Sequence, residues 1–295
     1  MRGTLGDDPA DAKKITILNR CIEWTGEKIV YTADEKHAKA IIEEMGLKEG
    51  SKGLVWPCMK EDSPEEDEEE LNPEEARHFR KVAARANYLG LDRMDIQFAV
   101  KEICREMSRP TVAGMKKLKR PARYLVSHPV VEIEFDGEGD EGCIDAYSDS
   151  DWAGCRVSRK STSGGIVVWG GNTMKSWSRT QASVALSVGE AEYYALVSAS
   201  AEAMGFKSLL KDLGCEAKIK TWTDSAAAKS IASRKGIGKV RHLEVKYLWV
   251  QEKTRRKEMQ MKKMLGSENP ADILTKPKHE KDIRRLAEKV KMKVK

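Results

Sequence analysis

The sequence predicts an α/β fold for its second half, a mixed five-stranded sheet flanked by helices, preceded by a small, mainly helical region. Three observations support this prediction. A hairpin of two short strands follows a first strand, one long helix comes next, and two more strands with helices follow it. Three antiparallel strands, a crossover helix and two further strands together produce a mixed sheet.

The strands are recognised as short apolar runs bounded by turn residues. The second and third runs are joined by Gly-Gly-Asn-Thr at 170–173, which is typical of a β-hairpin. The predicted strands are, in chain order, 143–149, 165–169, 174–177, 217–223 and 258–264.

The long helix has clear signals at both ends. Ser187 and Glu190 have the spacing of a capping box, and Gly214 marks the end of the helix. Alanines recur at every fourth position in its first half, which allows the helix to lie close to the sheet. The shorter helices predicted after it are 224–233, 240–254 and one that begins at Asn269-Pro270.

The first half is predicted to be helical over most of residues 72–135. Asn72, Pro73 and the two glutamates after them form a helix start signal. An acidic stretch at 61–71 precedes this region and is predicted to be a disordered linker. The other predicted elements of this half are a strand at 28–32, a helix capped by Asp34 and helices at 93–107 and 111–126.

Charge divides unevenly along the chain. Residues 1–142 carry 23 Lys+Arg against 30 Asp+Glu, whereas residues 143–295 carry 30 against 17. A basic half beside an acidic half suggests that the second half binds a polyanion.

Cysteine usage and hydropathy exclude several classes of protein. The six cysteines form no Cys-x-x-Cys pair and the chain has five histidines, which argues against a structural zinc site or a disulfide framework. We therefore expect an intracellular, reduced compartment, cytoplasmic or nuclear. No apolar run reaches the length of a membrane span and no secretory signal is recognised, so no membrane partner is expected.

Four acidic residues occupy the ends of predicted elements. Asp149 and Asp224 end strands, Glu192 lies early in the long helix, and Asp272 lies in the first turn of the last helix. Such ends converge at one edge of a sheet, and clustered carboxylates are naturally neutralised by a hard cation. The alternative is that each is an ordinary solvent-exposed acid, because the chain has 47 of them.

Six ordered motifs resemble the ribonuclease H (RNase H) domain of copia-type LTR retrotransposon polyproteins. They are YSDSDWAG at 147–154, RKSTSG at 159–164, SWSRTQ at 176–181 with VALSVGEAEY at 184–193, TDS at 223–225, RHLE at 241–244 and NPADILTKP at 269–277. Weaker similarity to the region that joins the polymerase to RNase H covers parts of residues 18–125.

The resemblance implies an RNase H-like sheet in the second half and a piece of a longer polyprotein. It implies five regions: a remnant of the reverse-transcriptase C-terminal region at 1–60, the acidic linker at 61–71, a helical connection or thumb-like region at 72–135, the RNase H-like domain at 143–277 and a basic C-terminal helix or tail at 278–295.

The resemblance also implies a metal site. The family's ligands match Asp149, Glu192, Asp224 and Asp272, which would bind two Mg²⁺ ions, with Mn²⁺ as a substitute. Glu190 competes with Glu192 for the helix position; we choose Glu192 because Tyr193 and the residues after it match the active-site helix.

The implied function is metal-dependent cleavage of the RNA strand of RNA–DNA hybrids during reverse transcription, in a virus-like particle or the nucleus. The partners are the hybrid and the reverse-transcriptase portion of the parent polyprotein. Val188, Gly189 and the Ser-Ala-Ala run at 225–227 depart from the family pattern, which leaves open a catalytically inactive, nucleic-acid-binding or polymerase-supporting remnant. The expected nucleic-acid contacts are Arg159, Lys160, Ser161, Thr162 and Ser187.

Overall fold

The computed structural model describes residues 4–48, 50–58, 69–236, 238 and 243–295, which divide into two compact units. Unit 1 comprises Met1–Asp136 and Lys276–Lys295, and unit 2 comprises Gly137–Thr275. Most of the predicted acidic linker lies outside the described residues. Its last part, residues 69–71, is hydrogen-bonded to the chain: Leu71 N–H donates to the Pro110 carbonyl at 3.0 Å.

The helices of unit 1 begin where the capping signals predict. Asn72 and Glu75 form the capping box of α2, and Asp34 accepts a hydrogen bond from His37 N–H at the start of α1. Apolar faces of these helices pack on one another through buried residues such as Phe79 and Leu118. The helices are α1 (Glu35–Glu44), α2 (Pro73–Leu89), α3 (Met94–Cys104), α4 (Val112–Ser127) and, after unit 2, α8 (Glu280–Glu288).

Unit 1 also contains an antiparallel sheet of five strands in the order β1-β2-β3-β4-β10. Only its third strand was predicted individually from the sequence, at 28–32. The strands are β1 (Lys14–Ile17), β2 (Arg20–Trp24), β3 (Ile29–Thr32), β4 (Val131–Phe135) and β10 (Met292–Val294).

The last three lysines of the predicted basic tail, 278–295, pair with acids at the edge of this sheet. Lys293 lies 2.7 Å from Glu134, Lys295 pairs with Glu132, and Lys291 pairs with Asp136. Counted by unit, unit 1 carries 32 Lys+Arg against 30 Asp+Glu and unit 2 carries 21 against 17, net charges of +2 and +4. The charge contrast between the two sequence halves is therefore not a contrast between structural units.

A buried ion pair anchors the start of α3. The Arg93 guanidinium donates to both carboxylate oxygens of Asp95, at 2.9 and 2.7 Å, and to the His128 carbonyl at 2.9 Å. Arg93 is 1% exposed. Burial opposes the charge of the guanidinium, but Asp95 raises the pKa of Arg93 above its ordinary value, so Arg93 stays ionised. It ties α3 to the chain that follows α4.

Unit 2 contains the predicted five-stranded mixed sheet, and its strands lie in the order β7-β6-β5-β8-β9. β5, β6 and β7 are antiparallel neighbours, whereas β8 runs parallel to β5 and β9 runs parallel to β8. Gly170 and Gly171, both with positive φ, make the turn between β6 and β7. The strands are β5 (Cys143–Ser150), β6 (Thr162–Trp169), β7 (Asn172–Thr180), β8 (Lys218–Thr223) and β9 (Met259–Lys263).

Three helices flank this sheet: α5 (Val188–Asp212), α6 (Ala226–Ser233) and α7 (Trp249–Arg255). α5 begins after Ser187, as predicted, and buries Ala191, Ala195 and Ala199 completely. Of the helix predicted at 240–254, residues 240–242 lie outside the described residues; a 3-10 turn follows at Val245–Tyr247, and the α-helix begins at Trp249. The helix predicted from Asn269 is a 3-10 helix, Pro270–Leu274. No helix among the described residues combines the length and the apolar composition needed to cross a bilayer.

The buried Arg93–Asp95 pair gives a stability prediction. We expect Arg93→Met to destabilise unit 1 by about 3–5 kcal/mol, because it leaves the Asp95 side chain buried without its hydrogen-bonding partner. Lys14→Met, which removes an exposed cross-strand pair with Glu23, should have a far smaller effect on stability. Native-state hydrogen exchange of the α3 and α4 amides measures both. Equal effects of the two substitutions would contradict the assigned role of Arg93.

Candidate active site

Two parallel strands bring two acids to one edge of the unit 2 sheet. Asp149 is the second-last residue of β5, and Asp224 directly follows β8. Because β5 and β8 run in the same direction, their carboxyl ends lie side by side. β5 is also where the strand order reverses: the chain adds β6 and β7 on one side of it and β8 and β9 on the other, and the crevice at the carboxyl ends of the strands beside such a point is a common ligand site in α/β sheets.

α5 adds the third carboxylate. Ser187 caps the helix by accepting a hydrogen bond from Glu190 N–H, and Glu192 lies half a turn further along. The backbone N–H of Ser150, at the end of β5, donates to Glu192 Oε1 at 3.2 Å. This bond joins the end of β5 to the second turn of α5.

The three carboxylates form one group. One oxygen each from Asp149, Glu192 and Asp224 lies within 4.8 Å of the others, and the first two residues are buried. Gly266 lies beside the group and leaves space for the Asp224 carboxylate, since a Cβ on this residue would lie 2.7 Å from Asp224 Oδ2. Three oxygen donors held this closely fit a hard divalent cation such as Mg²⁺.

The carboxylate of Glu190, the alternative to Glu192, is hydrogen-bonded to other residues near the start of α5. Its carboxylate accepts hydrogen bonds from Leu186 N–H at 2.9 Å and from the hydroxyl of Tyr194. Burial and the Glu190 contact raise the pKa of Tyr194, so this hydroxyl remains a donor. Glu190 is therefore occupied in holding the first turns of α5 and is not part of the carboxylate group.

Asp272 also lies outside the group of three. It is buried in the 3-10 helix Pro270–Leu274, which packs against β5 and β6. The backbone carbonyl of Asp272 lies 3.3 Å from Thr275 Oγ1, and the Thr275 hydroxyl donates to Asp149. The structure thus connects Asp272 with the group through a neighbouring residue.

Gln181 joins three elements around the group. The two hydrogens of its side-chain amide nitrogen have three acceptors within reach, the Ala191 carbonyl at 2.8 Å, Ser163 Oγ at 2.9 Å and Ser150 Oγ at 3.2 Å. These acceptors lie on β5, β6 and α5, next to Asp149 and Glu192. The sequence motif SWSRTQ contains Gln181, but spacing alone does not indicate that its side chain is buried.

The residues expected to contact nucleic acid divide into two groups. Ser161 and Thr162 are buried: Ser161 Oγ accepts from Ala153 N–H at 2.9 Å, and Thr162 N–H donates to Asp151. Both side chains are therefore buried, and the bonds of Ser161 Oγ and Thr162 N–H stabilise the loop after β5. Arg159 and Ser187 are exposed and Lys160 is half-buried. Arg241 and His242 of the RHLE motif lie outside the described residues.

The departures from the family pattern near the site have local packing reasons. A Cβ on Gly189 would lie 2.8 Å from the Cβ of Ala227, so small residues at both positions allow α5 and α6 to approach closely. Ser225 caps α6 by accepting a hydrogen bond from Ala228 N–H. Val188 stays exposed at the start of α5.

No protein-family profile matches the chain. It is 27% identical over 277 residues to the retrovirus-related Pol polyprotein from transposon TNT 1-94 of Nicotiana tabacum, covering 91% of this chain and 21% of that protein. It is 29% identical over 215 residues to the Pol polyprotein from transposon RE1 of Arabidopsis thaliana, covering 72% of this chain and 15% of the relative. The chain thus spans about a fifth or less of the length of these polyproteins.

A third relative is the secreted RxLR effector protein 161 of Plasmopara viticola, 39% identical over 127 residues, covering 43% of this chain and 89% of that protein. Among solved structures, LC11-RNase H1 in complex with an RNA/DNA hybrid is 19% identical. The alignment covers 45% of this chain and 93% of that chain, with a TM-score of 0.34.

The hydrogen bonds of Gln181 give a second stability prediction. Gln181→Met keeps the length of the side chain but removes its donors, and we expect it to lower the free energy of unfolding of unit 2 by about 1–3 kcal/mol. Hydrogen exchange in the first turns of α5 measures the effect. Gln260→Met, at an exposed position of β9, is the control and should change stability by about 0.5 kcal/mol or less. A Gln181 effect no larger than this control would contradict the role given to the amide.

Proposed function

Because this chain is similar over most of its length to the retrovirus-related Pol polyproteins of transposons, we propose that unit 2 is a ribonuclease H domain. In this proposal it hydrolyses the RNA strand of an RNA–DNA hybrid during reverse transcription. The observation that carries the proposal is the group formed by Asp149, Glu192 and Asp224 at the adjoining ends of β5, β8 and α5.

The metal site follows from the chemistry of these donors. Asp149, Glu192 and Asp224 would hold Mg²⁺ or Mn²⁺, and we retain Asp272 as the proposed fourth ligand on the neighbouring 3-10 helix. A bound divalent cation would stabilise the negative charge that develops on the phosphate oxygens during hydrolysis. We propose two such ions, since pairs of cations commonly serve phosphodiester hydrolysis.

The protein's own groups supply orientation. Ser150 N–H holds one oxygen of Glu192, and Gly266 leaves room for Asp224. Held in this way, the carboxylates need little rearrangement when a cation and the scissile phosphate arrive, and such preorganisation lowers the barrier. The exposed Ser187 hydroxyl and the side chains of Arg159 and Lys160 are the proposed contacts to the hybrid backbone.

The proposed partners are the RNA–DNA hybrid and the polymerase portion of a longer polyprotein. Selection for RNA would come from 2′-hydroxyl contacts in the wide minor groove. Such a domain would act where reverse transcription takes place, in the cytoplasm or the nucleus.

Cleavage of a labelled RNA–DNA hybrid by the full chain tests the proposal. We expect Mg²⁺-dependent cuts in the RNA strand that chelation by EDTA abolishes, and Asp149→Asn should lose the activity while it keeps hybrid binding. Asn preserves the volume of Asp but removes a ligand charge. An Asp149→Asn protein that cuts at the wild-type rate would refute the site. A folded wild-type protein that binds hybrid without cutting it would support the inactive remnant instead.

The two glutamates of α5 give a paired prediction. Glu192→Gln should reduce the cleavage rate by several orders of magnitude, since it removes a charge from the carboxylate group. Glu190→Gln should mainly lower thermal stability, by roughly 1 kcal/mol, because it weakens the contacts at the helix start. Initial cleavage rates and thermal unfolding of both variants provide the measurement, and the reverse pattern would assign the ligand to Glu190.

A further inference from the structure

The segment Asn269–Thr275 is attached to β5 on both sides of the Asp149 carboxylate. Asn269 Nδ2 donates to the Ser148 carbonyl at 2.9 Å, and Asn269 Oδ1 accepts from Ala271 N–H at 3.2 Å. At the other end, the Thr275 hydroxyl donates to Asp149 Oδ2. Asn269 and Thr275 are fully buried, so water does not compete for these hydrogen bonds.

Gly164 permits this attachment. It pairs with Asp149 across β5 and β6. A Cβ on Gly164 would lie 2.8 Å from both Leu274 Cβ and Thr275 Cγ2, and 2.9 Å from the Ala271 carbonyl oxygen. Any larger residue would push the segment away from the strand, so Gly164 brings the Thr275 hydroxyl within reach of the carboxylate.

A threonine hydroxyl has one hydrogen and two acceptor lone pairs. Thr275 Oγ1 has two oxygens within reach as acceptors, the Asp149 carboxylate and the Asp272 carbonyl at 3.3 Å. The charged oxygen is the stronger acceptor, so the hydrogen goes to Asp149. This hydrogen bond fixes the direction of Asp149 Oδ2 and restricts rotation of the Asp149 carboxylate about its Cβ–Cγ bond.

We propose that Thr275 is a positioning residue that orients the Asp149 carboxylate toward Glu192 and Asp224 for cation binding. The inference rests on the proposed function, and it assigns Thr275 a role distinct from the four acids. Hydrogen bonds from a neighbouring shell commonly set the orientation of carboxylate ligands, and their loss typically weakens metal binding by about 10–100-fold.

The test uses the full chain and Mn²⁺ as the probe. Thr275→Val replaces the hydroxyl by a methyl group of similar size, and Thr275→Ser keeps the hydroxyl. We expect Thr275→Val to weaken Mn²⁺ binding, measured by calorimetry, by about tenfold or more, with Thr275→Ser near wild type. Hybrid cleavage at saturating Mn²⁺ should fall in Thr275→Val and recover in Thr275→Ser. Thr275→Ala provides the same comparison if valine is not accommodated beside Gly164.

Thr221→Val is the matched control. Thr221 is another fully buried threonine of unit 2, and its hydroxyl lies 3.3 Å from that of Ser200, away from the carboxylates. We expect Thr221→Val to lower the free energy of unfolding of unit 2 without changing the affinity for Mn²⁺. Equal Mn²⁺ affinity of Thr275→Val and wild type, or equal losses in Thr275→Val and Thr275→Ser, would overturn the positioning role. Wild-type protein that binds Mn²⁺ but cuts no hybrid would instead refute the ribonuclease proposal and leave this role standing.

Discussion

The structure of unit 2 has to hold three carboxylates together, with one oxygen of each within 4.8 Å of the others. Like charges repel at this distance, and two of these residues are buried, so each oxygen needs a donor or a cation nearby. The fold supplies donors from two directions, the Ser150 backbone to Glu192 and the Thr275 hydroxyl to Asp149. The antiparallel-to-parallel switch at β5, the cap of α5 and the glycines beside the group all serve this arrangement.

Much of this arrangement could be predicted because its signals are local. A Ser187 cap and a terminal glycine define α5, and glycine turn residues define the hairpin after β5. Asp149 and Asp224 end strands whose parallel pairing follows from the crossover helix. The choice of Glu192 over Glu190 depended on a resemblance, since both lie in the first turns of one helix and helical spacing alone does not separate them.

The rest depended on pairings between residues far apart in the chain. β10 joins β4, so lysines predicted as a basic tail are ion-paired within unit 1. No local pattern contains that information, and the halves of the sequence consequently suggested a charge contrast that the units lack. A helix was predicted to begin at Asn269-Pro270 with Asp272 in its first turn; the structure has a short 3-10 helix there, Pro270–Leu274. The Asn269 cap forms, but the bonds of Asn269 and Thr275 to the distant strand β5 leave no local signal in the sequence.

The sequence departs from the family pattern at 188–189 and 225–227, whereas the three carboxylates are intact. Read as a sequence, lost hydroxyls suggest a decaying site. The structure gives two of the changed positions a packing role, because Gly189 and Ala227 are small where α5 meets α6. Gly189 and Ala227 therefore have a packing explanation that is independent of any substrate contact, and the three acids stay grouped beside them.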